Sequence, residues 1–79
     1  MARTPFEQGA SDASRAVEQT RRLGITKEIA LHHFLHHEES GGVQGALNAA
    51  NNTYEDSAAE VKEQYALGWL AALVHFKQS

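Results

Sequence analysis

Cysteine is absent from the 79 residues and proline occurs only once. Without cysteine there is no disulfide framework and no thiolate metal site, so helix packing or oligomerisation must replace the usual staples of a small fold. A single proline among many alanines and straight-chain residues favours helix over strand. Positive charge is also sparse, since seven Lys and Arg face ten Asp and Glu for a net charge of −3. Phosphate-backbone binding needs denser positive charge, so nucleic acid is not an expected partner. The N-terminus has no apolar signal segment, and no run approaches the roughly twenty apolar residues of a membrane span. These absences lead us to expect a soluble intracellular product in the cytoplasm or, if phage-encoded, in the host cytoplasm or the virion. A glycine-rich phosphate loop, a strained nucleophile turn and a paired-acid motif are missing too, so binding is expected and an enzyme is not.

Against these absences stands one dense apolar run, Tyr65 to Phe76 (YALGWLAALVHF), in which only Gly68 and His75 are not apolar. A helix that is apolar all round must be buried all round, by its own domain, a second copy or another protein. At 79 residues the chain makes one domain, and folding at that size buries roughly 60 to 65% of the unfolded surface, which leaves stability marginal. Charge is uneven along the sequence: residues 1–27 carry +2 and residues 28–79 carry −5. That polarity suits head-to-tail or antiparallel association, although the usual reading of such a division is two solvated faces.

Taken in order, the chain reads as four helices. Thr4, Pro5 and Glu7 form a capping-box start, followed by Phe6, Ala10, Ala13, Val17 and Thr20 at helical spacing as far as Leu23 and Gly24. Thr26 caps a second helix with Ile25 as its staple, running to about Glu39, with Ala30, Leu31, Phe34 and Leu35 on one arc. Gly41 and Gly42 end it and allow a reversal. A short third helix spans Val43 to Ala50 with Val43, Leu47 and Ala50 as its apolar contacts, and Asn51 and Asn52 form a turn. The fourth starts near Thr53 as cap and changes from amphipathic to fully hydrophobic, with Leu67, Leu70, Leu73 and Val74 forming a second apolar face. Phe6–Ala13 and Tyr65–Ala72 share an aromatic residue, a glycine three positions on and an alanine four further. Gly9 and Gly68 then mark a close crossing at which the first and fourth helices pack on each other.

The sharpest chemical feature is HHFLHHEE, which sets His32 with His36 and His33 with His37 at i,i+4, the spacing that lets two imidazoles share zinc, nickel or copper. Glu39, Glu28 or Glu38 would add oxygen ligands. Four ligands on one helix cannot surround a tetrahedral ion, so such a site needs groups from another helix or a second copy. A solvated polar face, or an interface sensitive to pH, fits the same pattern.

From Leu23 onward, LGITKEIALHHFL followed by GGVQGALNAA resembles the three-helix ubiquitin-associated domain pattern, with Leu23, Gly24, Ile25, Ala30, Phe34, Gly41, Val43 and Ala46 at its marked positions. The resemblance covers under half of the chain and implies a ubiquitin-binding module. It departs through a loop about two residues longer and through Ala49, Ala50 and Asn51 where that family carries a bulky aliphatic pair. A helix-turn-helix reading of the same segment leaves a recognition helix without Arg or Lys, where only Gln44 and Asn48 reach base edges.

The expectation is thus an all-α bundle of about four helices, the long first and last forming an antiparallel pair with a short helical hairpin between. Its function is protein–protein interaction, structural or regulatory, as a homo-oligomer or a subunit of a larger assembly. The compact, alanine-rich character suits a small accessory protein of a phage or bacterium. Tyr65, Trp69, Leu70, Leu73, Val74 and Phe76 are the candidate partner-binding residues, because aromatic and large apolar side chains dominate interface energies. His32, His33, His36 and His37 are the alternative, a metal site.

Overall fold

The computed structural model describes residues 3–37 and 41–78. It is an all-α bundle of four helices, α1 (Pro5–Arg22), α2 (Lys27–His36), α3 (Gly42–Thr53) and α4 (Ala59–Gln78), with no strand among the described residues.

α1 begins as its sequence dictates. The Thr4 hydroxyl accepts from the Glu7 backbone N–H at 3.2 Å and the Glu7 carboxylate accepts from the Thr4 N–H at 3.3 Å, so two otherwise orphaned amides are satisfied. Past its end, Gly24 sits at φ 86°, in the left-handed region that favours glycine. The Thr26 side chain then caps α2 by accepting from the Ile29 N–H. α2 ends at His36, and its expected extension to Glu39 runs into positions outside the described residues.

Packing between α1 and α4 is backbone on backbone. A Cβ at Gly9 would collide with the Tyr65 carbonyl, and one at Gly68 with the Phe6 carbonyl, so the two glycines form the reciprocal crossing that the repeated aromatic-glycine spacing implies. Further along both helices Ala13 and Val17 share a core with Leu73, and Trp69, Ala72 and Phe76 pack against it. At the α1–α2 corner, Lys27 and Glu28 lie beside Phe76 and Lys77. The two long helices therefore run in the same sense, and the expected antiparallel pairing is corrected. α2 and α3 together return the chain to the level at which α1 began, which leaves α4 to climb beside it.

Two further expectations change. α3 does not stop at Ala50: Asn51 and Asn52 form part of its last turn, and Thr53 is a helical residue whose hydroxyl donates to the Ala49 carbonyl at 2.9 Å. Residues 54–58 make the connection instead, with the Tyr54 ring set edge-on against Tyr65 at 5.6 Å, and α4 starts at Ala59. The inward faces also rotate. α1 buries Gly9, Ala13 and Val17 while the Phe6 ring stays exposed, and α3 buries Ala46 and Ala50 while Val43 is 63% exposed. Small residues line these contacts because close approach of helix axes, rather than bulk, is what fills the interior.

Candidate functional site

The six apolar candidates of the last helix divide according to the position of α1. Tyr65 and Leu73, 1% and 0% exposed, lie inside the domain, where no partner reaches them. Trp69 and Phe76 are half-buried, the indole edge-on to Phe34 at 6.4 Å and stacked on Tyr65 at 6.3 Å. Leu70 is half-buried and Val74 is 45% exposed. Leu67, outside the candidate set, is 54% exposed and on the same outward face. At 100° per residue Leu67, Leu70, Ala71 and Val74 fall within an arc of about 100°, continuing the line of Glu60, Glu63 and Gln64 from the polar first turns. The outward face of α4 is thus polar over its first turns and apolar over its later ones.

Tyr65 has a structural part. Its hydroxyl donates to the Asp12 carboxylate at 2.6 Å and lies 3.4 Å from the Thr53 hydroxyl, tying α4 to α1 and α3. Burial, followed by the bond to Asp12, pushes its pKa up to about 12, because ionisation would place a phenolate in a dry site against a carboxylate. Asp12 also accepts from Gln8 at 2.8 Å and pairs with Arg15. This cluster closes on itself and offers no free nucleophile.

The four histidines are exposed and form two pairs, His32, His33 and His36 on α2 and His37 just past its end, with ring centroids 5.2 Å apart for His32 and His36 and 4.8 Å for His33 and His37. Successive helical positions differ by 100°, so the pairs diverge. His32 and His36 border a groove of about 270 Å³ shared with Lys27, Glu28, Leu31, Leu35, Phe76 and Lys77, whereas His33 faces a separate groove. Among the described residues no three His, Asp or Glu side chains come together in a manner that could hold a metal ion. The proposed ligands Glu38 and Glu39 lie outside the described residues.

A second apolar surface was missed as a site. At the α1–α2 corner Leu23 is 78% exposed and Ile29 64%, beside a concavity of about 350 Å³ lined by Thr20, Ile25, Ile29, Ala30, His33 and Phe34. The signal was present in Leu23-Gly24-Ile25, on which the ubiquitin-associated resemblance rests, but it served there as a packing pattern. Gln44 and Asn48 of the helix-turn-helix reading hydrogen-bond to each other at 2.9 Å.

No protein-family model, curated protein or solved structure matches this chain. Among the described residues no helix is long and apolar enough to cross a membrane.

Proposed function

We propose that this protein is a helical interaction module that docks on another polypeptide through the outward stripe Leu67, Leu70, Ala71 and Val74 of α4. The observation that carries this reading is the exposure of Leu67 and Val74 on a helix whose opposite face is already committed to the core. A helix with a second apolar stripe loses solvent exposure only by acquiring a neighbour, at roughly 25 cal/mol per Å² of apolar area removed from water. Helix-in-groove docking uses this i, i+3, i+4, i+7 arrangement of anchors. The test is site-specific photo-crosslinking in cells, with the reactive residue at position 67 or 74 and position 19 on α1 as control. Adducts of one defined mass at 67 and 74 but not at 19 are expected; no adduct at either position, or equal yield at all three, sinks the reading.

The α1–α2 corner supports a second docking face, because Leu23 and Ile29 are more exposed than the large apolar side chains of α4. The ubiquitin-associated resemblance names ubiquitin as its partner. Amide resonances of Ile25, Ile29 and Phe34 that stay unmoved during a ubiquitin titration would remove that reading and leave the α4 stripe as the interaction surface.

A further inference from the structure

We infer that the occupant of the α4 stripe is a second copy of the same chain, with the two α4 helices antiparallel about a two-fold axis at Leu70; this rests on the docking reading above. In such an isologous pair, residues on the same flank of the stripe meet each other, and each contact away from the axis occurs twice. One flank of α4 consists of Glu63, Leu70 and Lys77, spaced seven residues apart. A two-fold axis through the middle member sets Leu70 against the partner's Leu70. It brings Glu63 against the partner's Lys77, opposite charges at both ends of the seam. On the adjacent row the same axis sets Leu67 nearest the partner's Val74, so the two exposed large apolar side chains of the stripe cover each other on both sides of the axis. A parallel pair would oppose Glu63 to the partner's Glu63 and lacks this complementarity of charge.

The charges are available for the purpose. Glu63 and Lys77 are exposed, and neither forms an ion pair within the chain among the described residues. A cysteine-free domain of this size also gains from association what it cannot obtain from covalent staples. With four apolar side chains on each side, the seam lies at the small end of specific interfaces, consistent with a dissociation constant on the order of 10 μM.

The experiment is sedimentation equilibrium of the purified chain across that concentration range, on the wild type, Glu63→Lys, Lys77→Glu and the double variant. Each single change places like charges together twice, so both weaken association by about five- to tenfold, and the double variant returns to within about twofold of the wild type. Net charge alone gives a different pattern. Glu63→Lys moves the chain from −3 to −1 and Lys77→Glu moves it to −5, so general repulsion would strengthen one and weaken the other. Opposite effects of the two single changes, or a double variant weaker than either, overturn the antiparallel register. A wild type that remains one chain at about twentyfold above the expected dissociation constant overturns the second copy altogether. If position 67 still crosslinks to a protein of another mass in cells, the docking reading survives that loss; if it crosslinks to nothing, both fall.

Discussion

The two faces of α4 are built from similar residues and meet opposite fates. On one face Tyr65, Ala66, Gly68 and Leu73 are buried; on the other, Leu67 and Val74 are about half in water. Hydrophobicity does not separate them, since Leu67 is more apolar than the Gly68 beside it. What separates them is the reciprocal fit of Gly9 and Gly68, which lets the α1 and α4 backbones touch and fixes which side of α4 faces inward. Side chains on the glycine side are drawn into the core, and those opposite remain outside for want of a fifth element. In this small domain the residue with no side chain decides where the large ones go.

That account breaks most directly at the crossing. In Gly68→Leu the new Cβ meets Phe6 backbone, which cannot swing aside like the tip of a flexible side chain. Loss of at least about 3 kcal/mol, or about 12 °C or more in melting temperature, is expected. A variant that melts within about 4 °C of the wild type removes the crossing as the organising contact. Leu73→Ala comes next. A fully buried leucine truncated to alanine leaves a cavity beside Ala13, Val17 and Leu31, and a urea midpoint corresponding to about 3 kcal/mol lower stability is expected.

Much of this was legible because the signals are local. The Thr4-Pro5-Glu7 start needs only its own turn, and the aromatic-glycine spacing repeated around Gly9 and Gly68 needs only comparison of two segments. Direction was not legible: helical periodicity reads the same for a parallel or an antiparallel neighbour, so nothing near Ala13 or Leu73 told which way α4 runs. The end of α3 misled for a chemical reason. A threonine hydroxyl accepts from an amide when it caps a helix and donates to the carbonyl four residues back when it sits inside one. Thr53 does the latter, and the Tyr54 ring on Tyr65 closes the connection that follows. The outward apolar stripe was half legible, as a second apolar face including Leu73, until α1 took Leu73 inward and left Leu67 outside.

A smaller effect probes the polar link across the buried face. Tyr65→Phe removes the donor to Asp12, which retains Gln8 and Arg15 as partners, so a loss of about 1 to 2 kcal/mol is expected near neutral pH. Its pH dependence carries the sign. The folded-state pKa, raised to about 12 by burial and then by Asp12, exceeds the unfolded value of 10.0. The neutral hydroxyl thus contributes fully below pH 10, and its contribution disappears as pH rises towards 12, because the unfolded chain ionises first. Urea unfolding across that window should show a downward slope in the wild type that Tyr65→Phe lacks. Parallel curves for the two proteins would place the phenol in a wetter site than the structure gives.

The smallest expected effect sharpens the comparison most. Leu67→Ala and Val74→Ala remove apolar bulk from α4 as Leu73→Ala does, yet in a single chain the removed atoms were already half in water and leave no cavity. Each should change the stability of the isolated chain by no more than about 0.5 kcal/mol. If the stripe is covered by another copy, that near-neutrality holds only under dilute conditions. At concentrations about twentyfold above a dissociation constant on the order of 10 μM, the wild type gains stability by mass action and the alanine variants gain less. Melting temperatures measured well below and well above that constant therefore separate two properties of one helix, the inner face that holds the fold at any concentration and the outer face whose contribution appears only with a neighbour. A Leu67→Ala penalty as large as that of Leu73→Ala under dilute conditions would mean that the two faces are not distinct, and that Leu67 is part of the core.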